Sequence, residues 1–131
     1  MLKGEVRTQI KNLVVEVLKN HDHIHLISLT TPEGLPILTL ARSESDNEVI
    51  EITDQAITNR YAALAGASTS LGERTLSTLS EEHVRSIHVQ GKSRDVAIAV
   101  SSSLITLVVT KPGGSPNLIA EKINTELRSM I

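Results

Sequence analysis

The stretch best equipped for chemistry is His21-Asp22-His23-Ile24-His25. On an extended strand alternate residues share a face, so the three histidines would offer three imidazoles to one metal ion. That geometry needs a strand throughout, whereas a helical pattern runs to Asn20 and no fourth ligand stands nearby; the segment reads as a polar loop entering a strand, and no metal is expected. Lys111-Pro112-Gly113-Gly114-Ser115 has the glycines of a phosphate loop without the G-x-x-x-x-G-K-[ST] spacing, and prolines flank them. Ser68, Ser70 and Ser77 lack a Gly-x-Ser-x-Gly elbow, and no motif places a base beside them, although His88 sits on a strand-like run. No catalytic residue and no cofactor-binding residue emerges.

Charge and composition narrow the function further. With 13 Lys+Arg against 15 Asp+Glu the formal net charge is −2, which argues against a dedicated binder of nucleic acid or anionic membrane. Zero cysteines exclude disulfides, thiolate zinc sites and a cysteine nucleophile. One Tyr with no Phe or Trp leaves Tyr61 as the sole platform for stacking a base or a sugar, and the core falls to Leu, Ile and Val. Glu44, Asp46, Glu48, Glu51 and Asp54, with Arg42 beside them, would steer a basic partner only within roughly 8 Å at physiological salt, and read first as a solvated loop. Glu81-Glu82-His83 reads as a helix exit with solubilising charge. The start of the chain lacks the basic region and apolar run of a signal peptide, and no run of about 18 apolar residues occurs, so a soluble cytoplasmic protein is expected.

The elements that must position any site follow from apolar spacing. Val6, Ile10, Leu13, Val14, Val17 and Leu18 mark one face of a first helix. Ile24 to Thr30 is apolar on both faces, as an interior strand is, and the turn Thr31-Pro32-Glu33-Gly34 folds it onto a second run, Leu35 to Ala41. The acidic loop from Arg42 to Asp54, in which Val49, Ile50 and Ile52 leave a short ordered piece open, leads into a helix capped near Thr53. That helix, about Asp54 to Leu79, carries a stripe of Ile57, Tyr61, Leu64, Ser68, Leu71, Thr75, Leu76 and Leu79 that returns every three or four residues. Beside the stripe lies a flank of Ala62, Ala63, Ala65, Gly66, Ala67, Ser70 and Gly72, small enough for another backbone to come close, either that of another helix or that of the chain's own sheet. Two glycines at about 1 kcal/mol each over Ala imply a packing reason.

Val84 to Gln90, Asp95 to Val100 and Leu104 to Thr110 form a meander, with the last central and the first nearer an edge. A last helix follows Pro116, with Ile119, Ile123, Leu127 and Met130 on one face. The expectation is a single domain over residues 1–131, of α/β (α+β) class and order α-β-β-α-β-β-β-α. Its single five-stranded, mainly antiparallel sheet is sandwiched by helices, because strands apolar on both faces need two covers.

That order resembles the roadblock / dynein light chain family over about nine-tenths of the chain. The resemblance rests on Glu33-Gly34-Leu35-Pro36-Ile37 on the hairpin, Ser70-Leu71-Gly72-Glu73-Arg74 in the long helix and Asn117-Leu118-Ile119 in the closing helix. It implies a homodimer in which the strand Val84 to Gln90 pairs with its own copy and the long helices lie side by side. The interface would comprise Ala63, Ala67, Ser70, Ile87, His88 and Val89. An unpaired edge strand gives the sequence its own reason for such pairing. The resemblance further implies a non-enzymatic regulator or scaffold whose partner is a Ras-like small GTPase. Asn59, Arg60, Glu73, Arg74 and Ser77 carry over to the partner-binding face. Neither nucleic acid nor direct membrane insertion is implied. The rival roles are a nucleotide-independent adaptor subunit of a dynein-like or trafficking complex, and a small-ligand sensor with a pocket between sheet and long helix.

Overall fold

The first apolar helical period is realised as α1 (Gly4–Asn20) in the computed structural model, which describes residues 4–130; residues 1–3 of the opening segment and residue 131 lie outside the described residues. Eight further elements follow: β1 (Ile24–Thr30), β2 (Pro36–Arg42), β3 (Val49–Glu51), α2 (Gln55–Leu79), β4 (Ser86–Gln90), β5 (Asp95–Val100), β6 (Ile105–Thr110) and α3 (Pro116–Arg128). The sheet has six strands in the order β3-β2-β1-β6-β5-β4, every neighbouring pair antiparallel.

The extra strand corrects the five-stranded expectation and changes the order to α-β-β-β-α-β-β-β-α. It arises inside the acidic loop, where Ser43 N–H donates to Glu48 O at 2.7 Å and Ile52 N–H to Thr39 O at 2.9 Å. Between them the chain turns at Asn47, whose φ of 64° suits Asn, while Glu48 N–H donates to the Asp46 carboxylate at 3.1 Å. Three residues are too few for alternation to announce a strand. The long helix starts one residue later than expected: Asp54, not Thr53, is the cap, its carboxylate accepting from Ala56 N–H at 2.9 Å.

Two cores flank the sheet. On one face α1 and α3 bring Ile10, Val14, Leu18, Ala120, Ile123 and Leu127 against Ile27, Leu29, Leu38, Leu40 and Val108. A buried hydrogen bond ties α3 to β6, the Thr106 hydroxyl donating to Asn124 Oδ1 at 2.9 Å. On the other face α2 lies over Leu26, Ile98, Ile105 and Leu107. The strands between two cores are apolar on both sides, as β1 and β6 show.

The two surfaces of α2 are divided unexpectedly. The helix buries Thr58, Ala62 and Ala65 towards the sheet, whereas Leu64 and Leu71 of the apolar stripe are 54% and 66% exposed. Small side chains let the helix axis approach the strands closely. At Gly72 a Cβ would lie 3.1 Å from Val84 Cγ2 and 3.4 Å from Ile87 Cδ1, so that glycine marks a close approach, while nothing lies within 4 Å at Gly66.

Candidate interaction surface

An edge strand's binding capacity is its unpaired backbone, and the register of β4 on β5 says which groups those are. Residues 85 and 91 turn their backbone towards β5, since Val100 N–H donates to Arg85 O at 2.9 Å and Gly91 N–H to Arg94 O at 2.8 Å. The register Ile87↔Ile98 and Val89↔Val96 continues that series, because antiparallel hydrogen-bonded pairs alternate. The N–H and C=O groups of Ser86, His88 and Gln90 therefore point outward, and none has a partner among the described residues.

The opposite edge is guarded. β3 is three residues long, and its Glu51 is held by α1 through Arg7 Nη2 at 2.8 Å and Lys11 Nζ at 2.9 Å. The Arg7 hydrogen bond, then the Lys11 one, hold the Glu51 carboxyl below the usual carboxylate range. Charges beside a short strand discourage further pairing. Among the described residues no residue of β4 itself makes an ion pair, the nearest being Arg85 with Glu121 at 3.8 Å just before the strand, and Val89 on β4 is 55% exposed.

The residues expected at a self-association interface fall on these surfaces. Ala63, Ala67 and Ser70 are exposed on the outer face of α2; the alanines that pack on the chain's own sheet are Ala62 and Ala65. Ile87 is half-buried against α2, while His88 and Val89 are exposed along the β4 edge. Of the residues expected to meet a partner, Asn59, Arg60, Arg74 and Ser77 are exposed on α2. Glu73 is committed within the chain, accepting from Val84 N–H at 3.2 Å and facing His83 Nδ1 at 3.2 Å. It fastens the α2–β4 connection. Sequence reading missed Leu64 and Leu71 as surface residues; their offset from the buried Ala62 and Ala65 was the available signal.

The three neighbouring histidines diverge. His21 Nδ1 lies 2.9 Å from Val17 O, and His23 Nε2 lies 3.1 Å from Gly114 O. His25 sits at the irregularity in the β1–β6 register with its Nε2 buried and without a hydrogen-bond partner among the described residues; burial, then the positive charges of Arg94, Lys111 and Arg42, push its imidazole below the ordinary value against the opposing Glu44. Arg42 explains why no strand runs through them, because its guanidinium donates to the carbonyls of Leu18, of His21 at 3.0 Å and of Ile24 at 3.0 Å. It closes the end of α1 and holds the loop in place. A groove of about 510 Å³ runs between α3 and the end of β5, with Arg85, Ser101, Leu118, Lys122, Asn124 and Arg128 on its walls. No helix among the described residues is long and apolar enough to cross a membrane.

Comparison of sequences finds no matching protein-family model and no matching curated protein. Comparison of structures finds close shape. MglB of Myxococcus xanthus superposes with a TM-score of 0.71 at 17% identity, over 100% of this chain and 96% of that one. An MglB with a tetrameric arrangement gives a TM-score of 0.74 at 13% identity, over 99% of this chain and 93% of its own. A roadblock/LC7 domain from Streptomyces avermitilis gives 0.61 at 18% identity, over 82% of each chain. An antiparallel sheet held between the long α2 and the α1–α3 pair, shared across nearly the whole chain, is the roadblock/LC7 fold, and this protein has it.

Proposed function

We propose that this chain is a non-enzymatic regulator or scaffold that pairs with a second copy of itself and binds a Ras-like small GTPase on the exposed face of α2. The observation carrying the reading is that two kinds of unused binding capacity occur together: the open β4 edge, and the exposed Leu64 and Leu71 of α2. Each such leucine, little more than half exposed, contributes about 1–2 kcal/mol when covered, which gives a partner reason to dock there. Self-association is supported by the tetrameric arrangement of an MglB that shares the fold. A GTPase is the partner that the roadblock resemblance implies, and Arg60 and Arg74 place cations beside the leucines, suited to an acidic rim.

Such a domain acts through binding alone. It shifts a GTPase only by the difference in its affinity for the two nucleotide states, and donates no catalytic group. The test is capture of a purified Ras-like GTPase from the same cells on immobilised protein, with GDP and with a non-hydrolysable GTP analogue in parallel. Capture should favour the analogue, and Arg74→Glu should weaken it by about tenfold with the melting temperature unchanged. Equal recovery with both nucleotides would instead make the domain a structural adaptor.

A further inference from the structure

The strand β4 has an odd number of residues, and its three outward-facing backbone units belong to Ser86, His88 and Gln90. When two copies join at this edge with both α2 helices on one face of a continuous sheet, the two-fold axis stands perpendicular to that sheet. Directly opposed residues in an antiparallel pair share a face, whereas neighbours along a strand occupy opposite faces. Residue 87 therefore cannot oppose residue 88, and one residue must oppose its own copy. Centring on His88 pairs the free groups of all three residues: two bonds for 88 with 88, two for 86 with 90 and two for 90 with 86, six in total. Centring on Ile87 or Val89 joins two of the three residues in four bonds, and the strand ends allow fewer. The His88 register also sets Ile87 against Val89 on the α2 side, covering the exposed Val89.

We infer that the self-associated form sets His88 against His88 of the second copy, and that the two imidazoles make a site for a divalent transition-metal ion of the zinc or nickel class. This rests on the self-association proposed above. Opposed Cβ atoms in such a pair stand about 5 Å apart, and an ion bound at about 2.1 Å from each ring nitrogen fits between the two rings. Ile87 packs towards α2 at Gly72, so His88 looks to the other face of the sheet, where it is exposed and its β5 neighbour is the small Ala97. Neither ring nitrogen of His88 is engaged within the chain among the described residues, unlike the ring nitrogens of His21 and His23 that face backbone carbonyls. Among the described residues no group of three His, Cys, Asp or Glu side chains within one chain is placed to hold a metal, so this site exists only when two copies supply it. Water completes the coordination.

Sedimentation equilibrium of the whole chain, in EDTA and in about 100 μM Zn²⁺, tests the inference. A site of about 10 μM affinity would tighten the dimer about tenfold in Zn²⁺. Calorimetry should find one ion per two chains. His88→Gln, with His88→Ala as a second variant, should still dimerise in EDTA and lose the response to Zn²⁺. A dimer that does not respond, or that responds equally in both variants, overturns the metal site alone. A mass that stays at 14.2 kDa at every concentration, with and without Zn²⁺, overturns the self-association reading together with it.

Discussion

Glu51 shows how one side chain reports on the fold around it. Its carboxylate meets Arg7 and Lys11 at 2.8 and 2.9 Å, and the side chain is only 22% exposed against 40% and 41% for the cations. Because its folded pKa is lowered, the stabilisation is complete above the ordinary carboxylate range and disappears as pH falls through the lowered value. Glu51→Gln should cost about 1 kcal/mol at pH 7, the half-exposed cations limiting the gain, and the gap to wild type should close below about pH 4. Urea titrations at several pH values measure this; a gap independent of pH would mean the pairs do not form. Sequence reading placed Glu51 in a solvated loop because its partners lie forty or more positions away on α1. Glu73 is the mirror case. The roadblock resemblance carries it over to a partner-binding face, whereas its carboxylate holds Val84 and His83 of its own chain.

At the scale of the element, α2 is the instructive one. Its length and cap position were legible to within a residue, since the expected cap Thr53 adjoins the actual cap Asp54 and the apolar period persists to Leu79. Which side faces the sheet was not legible. Hydrophobic periodicity points to the leucines, but the close approach of helix to strands selects Ala62, Ala65 and Gly72 and turns Leu64 and Leu71 outward. The two glycines therefore separate by experiment. Gly66→Ala meets nothing within 4 Å and should raise the free energy of unfolding by about 1 kcal/mol, the helix-propensity gain. Gly72→Ala earns the same propensity but must displace Val84 Cγ2 from 3.1 Å, so it should fall at least about 1 kcal/mol short of Gly66→Ala in urea unfolding. Equal values would show that the α2–β4 contact yields freely.

At the scale of the whole molecule, the sheet has one guarded edge and one open edge, and the open one adjoins the helix with exposed leucines. On the proposed self-association, light scattering of the wild type should approach twice 14.2 kDa, whereas Ala67→Arg, which places a charged side chain on the outer face of α2, should leave a folded species of 14.2 kDa. A variant that stays dimeric at wild-type strength would take α2 out of the interface. By itself the sequence determined the mixed α/β class, eight of the nine elements among the described residues, the interior place of β6 and the edge place of β4, because each is written in local periodicity and turn chemistry. Only the tertiary structure decided the existence of β3, the outward turn of Leu64 and Leu71, the inward commitment of Glu73 and the parity of β4 that leaves His88 free. Those depend on pairings between distant segments and on how closely a helix can approach a sheet, and no local pattern encodes either distance.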